Sequence, residues 1–454
     1  MTEAIITEIK ENKMGSMPVF KLLVNMAVPM MISMMVQALY NVVDSIFVSM
    51  LSKQALEAVT FAFPIQNLMI SVGVGVGVGI NATLSKALGE KKYKTANESA
   101  MQGLLLNICG YIIFLILGVF AAEVLISSQT SNAEVIQLGT EYLRICMLFS
   151  FGLFIQISFE RILQSTGRTM LTMIVQICGA VINIIFDPIL IFGLFGFPKM
   201  GIAGAAAATV AGQIIAAIVA VILNNAKNKE IQLTLRDMKP DLKMMGTILY
   251  IAIPSILLSS ISSVTTYAMN KILNIYENAV AVFGIYFKLQ SFIFMPIFGL
   301  NNGMVPIIAY NYGARNKERI TKTIKYALII AMSFMLLGLV IFNLFPELLL
   351  QMFNADASMM SVGVTALKRI SLSFIFAGFC IICISVCQAF GFSIYGLVIS
   401  VLRQLVILVP AAYILSLIFT TDPKYIWYAF PIAEIMSIAV SLFFLKRVFK
   451  KVDL

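Results

Sequence analysis

Long apolar blocks separated by short polar segments make up most of the chain. Each block is close to or longer than the roughly 20 residues that cross a bilayer as a helix. We count about twelve blocks, which start near residues 20, 55, 95, 134, 168, 201, 244, 279, 318, 358, 392 and 427. This pattern predicts an all-α, polytopic membrane protein of twelve transmembrane helices.

Lysine and arginine concentrate in every second loop. The basic segments are the N-terminus, the 86–94 loop, the Arg161/Arg168 turn, the 227–243 segment, the 315–325 loop and the C-terminus. Cytoplasmic loops tend to carry these residues. The alternation therefore supports an even number of helices and predicts a multi-pass cell-membrane protein with both termini in the cytoplasm. The polar first 20 residues predict no removable signal peptide.

An internal repeat divides the chain near its midpoint. Matching positions lie 224 or 225 residues apart: Ala27 and Pro29 with Ala252 and Pro254, Gly79 and Gly89 with Gly303 and Gly313, and Gln164 and Gly167 with Gln388 and Gly391. The longest hydrophilic segment, residues 224–243, separates the two copies. We predict two pseudo-symmetric six-helix bundles, 1–223 and 244–454, joined by a cytoplasmic linker and related by an axis along the membrane normal.

Composition excludes several kinds of chemistry. Hydrophobic residues make up 60% of the chain and charged residues 12%, and there is no histidine. Ser-His-Asp catalysis and histidine metal ligation are therefore impossible. The six cysteines lie in apolar segments without zinc-site spacing. We predict no enzyme activity, no metal and no cofactor. Because the net charge of +10 follows the topology, nucleic acid is not an expected partner.

Charged residues inside the spans are few: Asp44, Asp187, Lys288, Arg403 and Glu434. Each costs about 2.5 to 3.5 kcal/mol at the bilayer centre, so each should have a partner or a function. Lys288 and Glu434 lie at similar depth, and we predict a structural ion pair between them, with Arg403 nearby. Glu160 is interpreted as a local pair with its neighbour Arg161.

Two polar helix faces end in aspartate. The first helix carries Ser33, Gln37, Asn41 and Asp44, and the fifth carries Gln176, Asn183 and Asp187. At 1.5 Å per residue, the two carboxylates differ in depth by about 5 Å. They could be structural hydrogen-bonding groups, or they could form a cation site for Na⁺ or H⁺. Met269 and Val409 occupy the matching positions of the second half, so ion coupling is predicted in the first half.

Four residues are predicted to line a substrate cavity: Gln37, Asn41, Gln176 and Met269. Three prolines, Pro29, Pro188 and Pro254, are candidate positions of helix bending, because proline removes a backbone hydrogen bond. The run of alternating glycines from Gly73 to Gly79 is interpreted as a close-packing surface, with helix bending as the alternative.

Several segments together resemble one family. They are LYNVVDSIFV in the first helix, LQSTGRT after the fourth, INIIFDPILIFG in the fifth and GIAGAAAATVAGQ in the sixth. They resemble the MATE (multidrug and toxic compound extrusion) antiporters, and most closely the multidrug exporters of Gram-positive bacteria.

The resemblance implies a V-shaped pair of bundles that exports organic, often cationic and amphipathic, drugs in exchange for H⁺ or Na⁺. It places functional positions at Asp44, Asn183 and Asp187, with Tyr142 and Thr209 as companions. The expected partners are small organic substrates and membrane lipid, and a monomer is expected. The alternative is a flippase for a lipid-linked saccharide precursor, which predicts several cationic side chains facing the central cavity.

Overall fold

The computed structural model describes residues 12–233, 239–276, 278–353, 355–420 and 422–453, and in these ranges it contains helices and no strands. Ten helices are long and apolar enough to span a membrane, and two bent helix pairs bring the number to twelve. We number them α1 Val19–Ser49, α2 Lys53–Gly89, α3 Tyr93–Phe120, α4 Ala133–Leu148 with Phe151–Ser165, α5 Thr169–Phe192, α6 Ile202–Lys227, α7 Leu242–Leu273, α8 Ala279–Gly313, α9 Lys317–Leu344, α10 Ala357–Ser371 with Phe374–Ala389, α11 Ser393–Ile418 and α12 Pro423–Lys451.

Shorter helical pieces complete the described chain: Lys13–Ser16, Ala122–Ser127, Leu194–Gly196 and Pro346–Gln351. The α11 helix contains a π-helical stretch, Leu402–Leu408, and α12 begins with a 3₁₀ turn, Pro423–Tyr428. The predicted all-α, twelve-helix fold is confirmed, and eleven of the twelve predicted starts lie within two residues of the observed ones. The predicted linker is shorter than expected, because α6 continues to Lys227 and α7 begins at Leu242.

Parts of two predictions fall on residues that the structure does not describe. Residues 234–238 of the linker lie outside the described ranges. So do residues 1–11, which include most of the segment on which the signal-peptide expectation was based.

The two halves repeat a break in their fourth helix. The two parts of α4 meet at 47° and those of α10 at 48°. At each break a serine hydroxyl donates to the carbonyl three residues earlier, Ser150 to Met147 at 2.8 Å and Ser373 to Ile370 at 2.6 Å. Such local bonds compete with the helical ladder. The two serines are 223 positions apart, so the internal repeat is visible in the backbone.

Helices α1 and α2 of the first half cross α8 and α7 of the second. A Cβ built on Gly303 would lie 2.7 Å from the Cα of Ala27, and one on Gly79 would lie 2.7 Å from the carbonyl oxygen of Ile248. Absent side chains therefore allow backbone-to-backbone approach. These crossings lie in the part of each helix that is nearer the basic loops.

The helices of the two crossings carry exposed apolar side chains in the parts farther from the basic loops. Leu39 on α1, Phe63 on α2 and Tyr267 on α7 are each more than half exposed. The V shape that the resemblance implies stays a prediction.

The glycine run of α2 packs on two sides, which confirms its interpretation as a packing surface. Gly73 and Gly77 face α4, where added Cβ atoms would meet the side chains of Ile157 and Arg161. Gly75 and Gly79 face α7 of the other half. Because residues two apart on a helix point about 200° away from each other, alternate glycines serve opposite neighbours.

The three prolines lie inside continuous helices. Pro29 in α1, Pro188 in α5 and Pro254 in α7 are each part of a single helical segment. The hydroxyl of Ser33 donates to the carbonyl of Pro29 at 2.9 Å. Their role as bending positions during transport stays a prediction.

Both described ends of the chain lie on the face that carries the basic loops. The side chain of Asn12 donates to Glu230 at 2.9 Å and to the carbonyl of Thr166 at 3.2 Å. Near the other end, the Lys451 ammonium donates to the hydroxyl of Tyr395, at the start of α11, at 2.8 Å. We call this side of the molecule the basic face.

Candidate functional site

Helices α1 and α5 bring Asp44 and Asp187 together. Their carboxyl groups lie within hydrogen-bonding reach of each other. Asp187 is fully buried and Asp44 is partly buried. An ionised carboxylate can only accept hydrogen bonds, so two carboxyl groups this close form a site that a shared proton or a bound cation would stabilise. Among the described residues, no lysine or arginine forms an ion pair with either of them.

One turn closer to the basic face, Asn183 connects the aspartates to α6. Its Nδ2 donates to Asp187 Oδ1 at 3.4 Å and to Thr209 Oγ1 at 3.3 Å. The helices can approach because a Cβ on Gly212 would lie only 2.7 Å from the carbonyl oxygen of Gly179. The structure thus brings together four residues that the resemblance identifies as functional: Asp44, Asn183, Asp187 and Thr209. Their role in coupling stays a prediction.

Three oxygens of this cluster remain available to a ligand. Asp44 Oδ1, Asn183 Oδ1 and Asp187 Oδ2 are buried and accept no hydrogen bond from the described residues. Buried acceptors without a donor are costly. Carboxylate and amide oxygens are also the ligands that hard cations prefer. The arrangement can therefore hold a proton or a small cation.

Two tyrosines flank the aspartates. Tyr40 lies one turn before Asp44, and the buried Tyr142 accepts a hydrogen bond from Gln66 at 3.3 Å. Both tyrosines are within electrostatic reach of Asp44 and Asp187. Sequence reasoning did not identify Tyr40 or Gln66. Two signals in the sequence could have identified these residues. Tyr40 lies four residues before Asp44, and Gln66 is a polar amide within the apolar α2.

A polar cavity extends from this cluster toward the basic face, enclosed by α1, α2, α4, α5 and α6. It contains about 140 Å³ that water can reach, enough for several molecules. Its polar wall is formed by Ser33, Gln37, Tyr40, Gln156, Glu160, Arg161, Gln176, Asn183, Thr209 and Gln213. Two of the four residues predicted to line a cavity, Gln37 and Gln176, are among them.

The other two lie elsewhere. Asn41 is exposed and is not part of the cavity wall, because at 100° per residue it lies about 80° around the helix from Ser33. Met269 has no exposed surface and belongs to the apolar core. The prediction that Met269 lines the cavity is wrong, because its face of α7 points into the protein interior.

Glu160 lies at the end of the cavity nearer the basic face and is 5% exposed. Its carboxylate accepts one hydrogen bond from Gln156 Nε2 and one from Gln176 Nε2, each 2.8 Å long. The predicted local ion pair with Arg161 is wrong, because the described residues contain no ion pair at Glu160. Consecutive side chains point 100° apart on a helix, so these neighbours reach different partners.

Arg161 connects the cavity wall to the second half of the protein. Its Nη1 donates to Gln164 Oε1 and to Asn302 Oδ1 of α8, each at 3.0 Å. Its aliphatic stem lies over Gly77, where any side chain would collide with it. A buried cation of the first half is thus bonded directly to the second.

The ion pair of Glu434 in the second half is not the one predicted. Glu434 pairs with Arg403 at 3.3 Å, and both side chains are 14% exposed. Lys288 is exposed and lies over the ring of Phe353 at 5.9 Å. The predicted Lys288–Glu434 pair is wrong because Phe283 and Tyr286 form the face of α8 that packs against α12. Lys288 points about 200° away from Tyr286.

Twelve spanning helices in two related halves, with a buried carboxyl pair beside an internal cavity, define the architecture of a secondary transporter. The model of the MatE family matches residues 29–189 and 250–414, one segment in each half. The chain therefore belongs to the MatE family. It is a membrane transporter and not an enzyme.

Solved structures share the fold over nearly the whole length. One is described as the outward-facing conformation of a multidrug resistance MATE family transporter of the MOP superfamily, with a TM-score of 0.92, 25% identity and coverage of 98% of this chain and 99% of that chain. A MOP superfamily transporter from Pyrococcus furiosus has a TM-score of 0.91, with the same identity and coverage.

Curated relatives point to the same class. The Multidrug export protein MepA of Staphylococcus haemolyticus is 27% identical over 404 residues, covering 88% of each chain. MepA of Staphylococcus aureus strain MRSA252 is 26% identical over 405 residues, again covering 88% of each. These similarities do not favour the flippase alternative.

Proposed function

We propose that this protein is a cation-coupled multidrug antiporter that exports organic, cationic and amphipathic compounds in exchange for H⁺ or Na⁺. The observation that carries the proposal is the contact between Asp44 and Asp187, which Asn183 connects to a polar cavity. The pair has no basic partner among the described residues. The names of the relatives as multidrug exporters support the substrate class.

Exchange follows because the charge of the carboxyl pair affects the affinity of the protein for both ligands. When a proton or small cation neutralises the carboxyl pair, the cavity loses its attraction for a cationic drug. Each ligand then favours a different orientation of the halves, since a ligand shifts an equilibrium only by binding one state more tightly. Inward movement of the coupling cation supplies about 2.3 kcal/mol per charge per 100 mV.

The orientation is part of the proposal. Basic loops favour the cytoplasmic side, so we place the basic face and both termini there. The crossings of α1 with α8 and of α2 with α7 then close the cytoplasmic side, and the V opens outward. The described conformation would be the one that releases drug and takes up the coupling cation.

The test is drug efflux from cells that express Asp44→Asn or Asp187→Asn. We expect the efflux rate of each variant to be at least about tenfold below that of the wild type, because the substituted side chain can no longer alternate between charged and neutral forms. Glu123→Gln, which removes an exposed carboxylate between α3 and α4, is the matched control and should transport normally. Full resistance in both aspartate variants at normal membrane levels would end the proposal. Proteoliposomes with an imposed pH or Na⁺ gradient identify the ion.

A further inference from the structure

Glu160 is a carboxylate of the cavity wall, at the end opposite to Asn183, which bonds to Asp187. It bonds to Gln176, which precedes Asp187 by 11 residues on α5. At 1.5 Å per residue, the two acidic sites are about 16 Å apart along the helix. They are therefore separate positions: Glu160 lines the cavity, and the aspartates lie beyond its Asn183 end.

Among the described residues, the carboxylate of Glu160 has amide partners and no cation in an ion pair with it. Gln156 and Gln176 each donate one hydrogen bond to it, while the guanidinium of Arg161 points to Asn302 in the other half. A buried charge is costly unless an opposite charge accompanies it. Each carboxylate oxygen can accept a second bond, so the group retains capacity for a donor that carries positive charge.

Gln176 supplies an independent indication of a missing donor. Because its Nε2 must face the carboxylate, its Oε1 is directed elsewhere. That oxygen is buried and accepts no hydrogen bond from the described residues. Both residues also line the cavity. A carboxylate and an unpaired amide oxygen at the same end form a set of acceptors that matches a cation with N–H groups.

We propose that Glu160 and Gln176 bind the protonated nitrogen of the exported molecule, an ammonium, amidinium or guanidinium group that carries N–H donors. The Asp44–Asp187 pair serves the coupling cation at the other end. This inference deepens the proposed function and rests on it for the direction of transport, although the binding site can be tested by itself.

The proposal separates two kinds of organic cation. Arg161 lies beside Glu160, so the formal charges at this end of the cavity cancel. Long-range attraction is therefore weak, and binding depends on directed hydrogen bonds from the ligand. A cation without N–H groups gains little from Glu160, whereas an amidinium can donate to both acceptors.

The experiment measures binding to the purified full-length protein in lipid nanodiscs. The probes are 4′,6-diamidino-2-phenylindole, which carries amidinium groups, and tetraphenylphosphonium, which has no N–H. We expect Glu160→Gln and Gln176→Met each to raise the Kd of the amidinium probe roughly 10- to 100-fold. The Kd of tetraphenylphosphonium should change by no more than about twofold. Glu230→Gln removes a carboxylate that is bonded to Asn12 outside the cavity and should leave both values unchanged.

Each outcome decides the question. Unchanged amidinium binding in both variants overturns the proposal, and so does an equal loss for the two probes, which would indicate a structural role. If Glu160→Gln does not purify as a single species, Gln176→Met provides the same comparison. If the variants selectively lose amidinium binding but the wild-type protein does not transport, the binding site is confirmed and the antiporter function is refuted.

Discussion

Gly89 of α2 and Gly313 of α8 pack against each other's helix where the two halves meet at the basic face. A Cβ on Gly89 would overlap the carbonyl oxygen of Tyr310, and one on Gly313 would overlap that of Lys86. Both pairs of counterparts, 89 with 313 and 86 with 310, are 224 positions apart, so the contact is two-fold symmetric. It is a crossing of bare backbones that closes one side of the protein.

Replacing Gly89 by alanine should open this crossing. The added methyl group meets backbone atoms, which cannot move away by changing rotamer, and overpacking of this kind costs about 1 to 3 kcal/mol. We expect spin labels at the ends of α2 and α8 on the basic face to show a longer distance and a broader distribution. Double electron–electron resonance measures both.

Gly246→Ala is the matched control. This glycine of α7 is helical, exposed and has no atom within 4 Å of a built Cβ. The substitution should leave the distances unchanged and stabilise the helix by roughly 0.5 to 1 kcal/mol. Identical distance distributions in the two variants would show that the Gly89 crossing does not hold the basic face closed.

Changes at Asn302 should alter the same closure in opposite directions. Asn302→Leu removes an acceptor of Arg161 in the second half, whereas Asn302→Asp converts the bond to a charge-assisted one of about twice the strength. We expect the leucine variant to spend more time open at the basic face. The aspartate variant should bind drug normally and turn over more slowly, because the halves separate less readily.

Two measurements check this prediction. Equilibrium binding and transport rate in proteoliposomes distinguish slow turnover from lost affinity. An aspartate variant that transports as fast as the wild type would mean that the Arg161–Asn302 bond is not broken in the rate-limiting step.

The Arg403–Glu434 pair should stabilise the second half only as a pair. Glu434→Gln leaves a largely buried guanidinium without its counter-ion, which typically costs about 3 to 5 kcal/mol. A double substitution of Arg403 and Glu434 by methionine and leucine should recover most of this loss, since apolar residues fill the same space without desolvation. Thermal unfolding in detergent measures each variant. The control variant Lys288→Met should unfold at the wild-type temperature. If its unfolding temperature fell as far as that of Glu434→Gln, Lys288 rather than Arg403 would be the partner of Glu434.

The hydroxyl of Thr209 should matter for coupling. Thr209→Val removes the acceptor that holds Asn183 to α6, and one neutral hydrogen bond corresponds to roughly a 2- to 10-fold effect. We expect efflux driven by an imposed cation gradient to fall by that factor, while Thr209→Ser, which keeps the hydroxyl, transports normally. Normal efflux by Thr209→Val would show that the hydroxyl is not needed, and a loss in Thr209→Ser alone would assign the effect to packing of the methyl group.

Spacing along single helices predicted much of the structure. The depth and face of Asp44 and Asp187 follow from the rise and rotation per residue, and these alone predicted two carboxylates at nearly equal depth. The starts of the helices followed in the same way from the lengths of the apolar blocks. The alternating glycines from Gly73 to Gly79 predicted close packing because small residues four apart form a groove in any helix.

Contacts between helices were harder to predict. Glu434 was assigned to Lys288 on depth alone, but the choice between Lys288 and Arg403 depends on which helix lies beside α12 and how each is rotated. The hydropathy pattern gives neither the neighbour of a helix nor its rotation about its own axis. Arg161 illustrates the same limit, since its partner Asn302 is 141 positions away in the other half.

The arrangement of α2 restricts how a transport cycle can proceed. Its alternate glycines fit closely against α4 on one side and α7 on the other, so turning the helix about its own axis would drive side chains into both neighbours at once. Sliding along the axis would meet the same obstruction. A movement of the two bundles relative to each other would separate α2 from α7 and carry α2 along with α4 as a fixed part of its own bundle.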